Sequence, residues 1–189
     1  NNSIARKKIK NSKKEKKMKK MINETHIEGR LFSHTLAEKV SGEGSKNPGT
    51  PFLNGRISIA TDDAATNIVE VSFVYVTEKY ATSGKPNATY ALLKSIINGE
   101  LPTYVDAGLA AAKLRVDSAI GLNEYFDDAG VLHSYAINNA GFVHPADALN
   151  GDVSKRSTFM ADVLIESVLP VEGDAEKGTE DHVLVKGNV

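Results

Sequence analysis

The sequence has no cysteine, which excludes disulfides, thiolate metal sites and cysteine nucleophiles. It fits a reducing cytoplasm, the compartment expected here. No apolar run approaches the roughly 20 residues that a membrane helix needs, so a soluble chain with no membrane partner is expected. The Gly-rich stretch 41-SGEGSKNPG-49 lacks the Gly-Lys-Ser/Thr order of a phosphate loop, and no Gly-x-Ser-x-Gly elbow is present. The five histidines (His26, His34, His133, His144, His182) are scattered, with no helical ligand spacing. Asp62-Asp63 and Asp127-Asp128 read as solvated turn acids rather than metal ligands. No repeat of short period is found. The chain is therefore expected to be non-enzymatic, with no cofactor and no metal.

The first twenty residues lack almost anything to bury: ten are Lys or Arg, against the single acid Glu15. No packed structure is expected of them. Three readings compete. The segment is a basic arm that tracks phosphates, a targeting segment without the apolar stretch of a signal peptide, or upstream message read as protein. The third rests on Lys14-Glu15, which AAGGAG, a ribosome-binding sequence, can encode shortly ahead of Met18 and Met21. The charge depends on where the protein starts. The whole chain is at −1, but the tail supplies +9, so 13 basic and 23 acidic residues leave 21–189 at −10.

What remains can bury a core, with 41% hydrophobic and 25% charged residues in 189, and one domain with a small appendage is the default. Its dominant period is two. A strand is expected over 25-THIEGRLF-32, with Ile27, Gly29 and Leu31 on one face. Ile27-Glu28-Gly29-Arg30 is also a protease site used in fusion linkers. Leu31-Phe32 nonetheless continue the alternation, and Gly29 suits a strand that coils tightly. Further strands are expected over 51-PFLNGRISIAT-61 and 68-IVEVSFVYV-76, the second rich in β-branched and aromatic residues. A helix over 88-ATYALLKSIING-99 presents Leu92, Leu93, Ile96 and Ile97. β structure returns in 112–122 and 131–137 around 123-NEYFDDAG-130, a turn by composition. Residues 158–171 and 182–189 can pair as a hairpin across an acidic, Gly-rich link. The chain stops on a strand-like residue with no polar tail, which admits a truncated C-terminus.

In order and spacing, 26-HIEGRLF-32, 51-PFLNGRISIATDD-63 and 68-IVEVSFVYVTEKY-80 resemble the opening of single-stranded-DNA-binding proteins of the bacterial and phage type. The stretch 114-LRVDSAIGLNEYFDDAG-130 is similar to their fourth strand and its protruding hairpin. The resemblance covers roughly residues 25–137. It implies an OB-fold, a five-stranded Greek-key barrel whose open face and loops bind oligonucleotides. The expected architecture is thus mainly β. It comprises a basic tail (1–20), an OB-fold-like domain with a helix-bearing insert (21–157) and a C-terminal β-hairpin (158–189). The implied function is sequence-tolerant single-stranded DNA binding in phage or bacterial replication or recombination, with RNA also open and a homo-oligomer expected.

Such binding needs aromatic faces for bases and cations for phosphates. The stacking candidates are Phe32, Phe73, Tyr75, Tyr80, Tyr125 and Tyr135; the phosphate candidates are Arg30, Arg56, Lys79, Lys85, Lys113 and Arg115. A Phe on an alternating strand is more often core, whereas a Tyr hydroxyl tolerates a half-wet face. Charge argues against the function unless the cations gather on one face. Seven of the acids do lie apart, in 161–189. The alternative is a non-enzymatic β-rich structural or protein-interaction module, such as a virion or assembly component. Converging cations with exposed aromatics favour the first reading, dispersed cations with buried aromatics the second. Because residues 1–20 offer nothing to pack, their deletion is expected to leave the thermal melting temperature unchanged. A loss of several degrees would show that they pack.

Overall fold

The computed structural model describes residues 21–174 and 176–188; the expectation for residues 1–20 lies outside them. The protein is mainly β. Nine strands are described: β1 (Asn23–His34), β2 (Ala37–Val40), β3 (Pro51–Ala60), β4 (Ile68–Val76), β5 (Lys113–Phe126), β6 (Leu132–Pro145), β7 (Ser157–Ala161), β8 (Leu164–Val171) and β9 (His182–Asn188). Helix α1 (Ala88–Ile97) and the short α2 (Tyr104–Ala107) lie between β4 and β5. Asn87 starts α1 by accepting from the Thr89 amide at 3.1 Å, as an N-cap should. Gly99, at φ 73°, follows its end.

Seven strands join in the order β2-β3-β4-β6-β5-β1-β7, and β1 also pairs with β3. The pairings therefore run β1-β3-β4-β6-β5 and back to β1. All are antiparallel except β4 with β6, which meet in parallel at Ser72↔Asn139. Alternation dictates which side of each strand is buried. Ile27 and Leu31 from β1, Ile57 and Ile59 from β3, Val71 and Phe73 from β4, Leu114 and Val116 from β5 and Val143 from β6 fill one core. Leu93 and Ile96 of α1 join them.

Two glycines let β1 and β3 run this close. A Cβ on Gly29 would overlap the carbonyl oxygen of Ala60, and one on Gly55 (φ 133°) that of Thr35. At Gly29, β1 pairs with Leu114 on one edge, while its other edge changes partner from β7 to β3.

The structure departs from the sequence reading at four places. β2 lies between the strands expected over 25–32 and 51–61, where no strand is expected, and extends the sheet beside the start of β3. β6 continues past the expected end at 137 through 138–145, because it pairs with β5 as far as Leu114↔Pro145. Residues 158–161, expected in the C-terminal hairpin, pair instead, with Ser157, along the N-terminal half of β1, Asn23↔Ala161 to Ile27↔Ser157. And Phe73, expected as a stacking platform, is 3% exposed: it points into the core with Val71 and offers no ring face to a base.

β8 and β9 form a separate two-stranded sheet. Val168↔Val185 and Pro170↔Val183 stand opposite one another, so one face of the ribbon carries Ile165, Val168, Pro170, Val183 and Val185 without a charge. Apart from the half-buried Val171, the large apolar side chains of the hairpin are 43–64% exposed. At Gly29 we expect replacement by Ala to force β1 away from Ala60 at a cost of about 1–3 kcal/mol, as overpacking does. Thermal melts should register roughly 2–4 °C of loss per kcal/mol. An unchanged melting temperature would show that the close approach does not govern the ring.

Candidate nucleic-acid interface

The turn between β5 and β6 sets up the candidate site. Asp127 Oδ1 accepts from the amides of Ala129 and Val131, at 3.0 and 2.9 Å. Gly130, at φ 77°, takes the left-handed conformation that closes the turn. The other carboxylate oxygen lies 2.8 Å from Nε2 of His133. A turn fixed in this way fixes the register of the ribbon. Tyr125 then stands opposite His133, Asn123 opposite Tyr135 and Gly121 opposite Ile137, all on one face.

On that face Tyr125 stacks on His133, with centroids 5.1 Å apart and planes at 18°. It meets Tyr135 edge-on at 6.4 Å and 84°. Asn123 Nδ2 donates to the Tyr135 hydroxyl at 2.5 Å. The two tyrosines remain 48% and 40% exposed, so their rings are braced yet reachable. Below them, two adjoining hollows of about 310 and 340 Å³ share Arg56, Ser72, Tyr135 and Ile137. The resulting groove runs over the outer sides of β3 and β4 toward β6. Arg56 is paired there with Glu70 at 3.4 Å.

Of the expected site residues, Arg56, Tyr125 and Tyr135 are brought together. The rest are spread elsewhere. Arg30 is held against Asp63 at 3.6 Å, and Phe32 is stacked on Tyr104 at 5.9 Å. Lys113 donates to the Asp147 carbonyl at 3.1 Å, and Arg115 lines a separate hollow with Glu28 and His144. Tyr75 is 46% exposed, with its hydroxyl 3.1 Å from Ser41 Oγ and its ring against Phe52. Lys79, Tyr80 and Lys85 lie exposed in the loop after β4, which the Lys79↔Pro86 bridge closes. The cations thus do not converge on one face, while four of the six stacking candidates stay exposed.

Asn123, His133 and Ile137 belong to the site and were not singled out from the sequence. Counting outward from the 127–130 turn would have paired them correctly. Among the described residues no three His, Asp or Glu side chains converge to hold a metal, and no helix is long and apolar enough to cross a membrane.

The chain matches one family model, that of YorF, across residues 21–189. It belongs to the YorF family. That match spans the ring, the groove and the C-terminal hairpin of this YorF chain together. A search of the curated proteins returns no match.

The carboxyl of Asp127 sits below the ordinary carboxylate range, first because of the His133 ring and next because of the Val131 amide. Its stabilisation of the turn is therefore fully present above that ordinary range. It is lost as pH falls through the lowered value. Replacing His133 by Ala should move the Asp127 titration upward, toward the ordinary range, in a carbon-13 NMR experiment. A titration that stays where it was would show that the ring is not its main partner.

Proposed function

We propose that this chain is a sequence-tolerant single-stranded-DNA-binding protein built on an OB-type barrel. It would serve DNA replication or recombination of the phage or bacterial kind. Three features support the barrel. The strand pairings return to β1, the third and fifth strands of the ring meet in parallel, and the helix lies between the third and fourth. In folds of this type the second and third strands, with the loops flanking them, form the oligonucleotide face; here those strands are β3 and β4. The observation that carries the reading is the half-exposed pair Tyr125 and Tyr135, braced by His133 and Asn123 at the mouth of a groove that holds Arg56. Two rings of this kind offer faces on which any base can stack.

The electrostatic share of binding is small in this reading. Arg56 is the one Lys or Arg among the residues lining the groove, and the body carries −10 in total. Stacking would carry the affinity, with the groove excluding water around it. No catalytic step is assigned to the site. A second reading, a non-enzymatic interaction or assembly module, draws on a different observation: the uncovered apolar hairpin β8–β9.

A protein beginning at Met21 tests the proposal without the basic tail, which would bind any polyanion. It should bind oligo-dT in preference to duplex, with a shallow salt dependence. Tyr125→Ala should weaken binding by about 1–3 kcal/mol and leave the salt slope alone. Arg56→Ala should reduce the slope by about 0.7, the share of one phosphate contact on a single strand. Absence of oligo-dT binding even at low salt would reject the proposal in favour of the interaction module, and tighter binding to oligo-U would turn it toward RNA.

A further inference from the structure

The hairpin β8–β9 stands outside the ring, and a two-stranded hairpin by itself is at best marginally stable in water. Its uncharged face, Ile165, Val168, Pro170, Val183 and Val185, is exposed, with nothing over it among the described residues. The same chain holds a mainly apolar hollow. A cleft of about 610 Å³ across β7, β1, β5 and β6 is lined by Glu24, His26 and Asp117 and by Ala119, Ala140, Phe142, Phe159 and Met160. The last three of these are 52%, 49% and 62% exposed.

The hairpin cannot serve its own cleft. Asp162 is tied to Ile22 by two bonds, its amide to the Ile22 carbonyl at 2.8 Å and the Ile22 amide to its carboxylate at 3.0 Å. Val163 alone remains as a free spacer between β7 and β8. One residue reaches about 3.5 Å at full extension, too little to fold the hairpin back over the wall that β7 has just formed.

From these observations we propose that the hairpin of one copy docks in the β7–β1–β5–β6 cleft of a second copy, and the reverse, giving a two-fold dimer. The surfaces are of the right size only together. Half-exposed aliphatic side chains each withdraw roughly 30–60 Å² on burial, so the five on the docking face contribute roughly 150–300 Å². Two half-exposed phenylalanines and a methionine add roughly 200–350 Å² from the cleft. The sum, about 350–650 Å² per copy, reaches the lower end of the range of about 600–1,000 Å² per partner that specific interfaces bury. Either element alone falls short of it. Reciprocal exchange is the two-fold arrangement that uses both twice.

The test is the solution mass of the full chain, nuclease-treated, by light scattering and sedimentation. The expected mass is twice the 20.3 kDa of one chain. Val185→Asp on the hairpin and Met160→Lys in the cleft should each reduce it to that of one chain. Both positions are exposed, so the melting temperature of the body should hold. An equimolar mixture of the two variants restores one of the two hairpin-in-cleft contacts, so it should dimerise more weakly than the wild type. The proposal is overturned by a wild type that runs as one chain, or by an assembly other than a dimer. It fails equally if Met160→Lys stays dimeric while Val185→Asp does not, for the hairpins would then be pairing with each other. A mixture that dimerises as tightly as the wild type overturns it too, because one contact would then suffice.

Discussion

Everything in this fold depends on how β1 passes Ala60. The strand pairs with β5 on one edge, while its other edge serves β7 first and then β3. One strand can hold three neighbours only if it coils past the last of them at close range. A carbonyl oxygen occupies the space where a side chain at position 29 would begin, so glycine is required there. The returning ring follows from that approach, and with it a core sealed by Ile27 and Leu31 from the same strand. The outer sides of β3 and β4 are left to form a groove.

Polar groups brace the region where β1 and β3 meet. Asp63 lies 3.6 Å from Arg30 and 3.7 Å from Arg156. Arg156 is 7% exposed and also donates to the carbonyls of Asn150 and Thr61, at 2.6 and 3.1 Å. A buried guanidinium needs such partners, since its charge is costly to leave unpaired. Arg30 is thereby committed to the architecture. Cations fixed in this way are unavailable to a polyanion. That ties the electrostatics of the groove to the way the fold is held together.

The strands were legible where burial alternates. The ranges read for β3, β4 and α1 agree with the structure to within about two residues, the usual blur of element ends. Alternation reports which side of a strand is buried but not which strand lies beside it. The pairing of β7 with β1 joins residues 130–138 positions apart, and nothing local announces it. The same limit governed the site. Tyr125 and Tyr135 were legible as half-wet aromatics. Phe73 could not be told from a platform until Val71 and the core around it were placed. Arg30, Arg56, Lys113 and Arg115 look alike as cations, and only their surroundings sort them: Asp63, Glu70 and the Asp147 carbonyl hold the first three, while Arg115 lines a separate hollow. Asn123 and His133 carried no signal of their own beyond their distance from a recognisable turn.

β4 and β6 meet at a single registered pair, Ser72↔Asn139, helped by the Asn138 side chain donating to the Glu70 carbonyl at 3.0 Å. Every other junction of the ring is a ladder of several pairs. The groove lies over this thinnest seam. Its two banks are thus hinged rather than welded, and amides along the seam should exchange with solvent ahead of those in the β1–β5 ladder. The gap can widen by breaking very few hydrogen bonds, without disturbing the core packed behind it. A groove of that kind can admit occupants of different thickness.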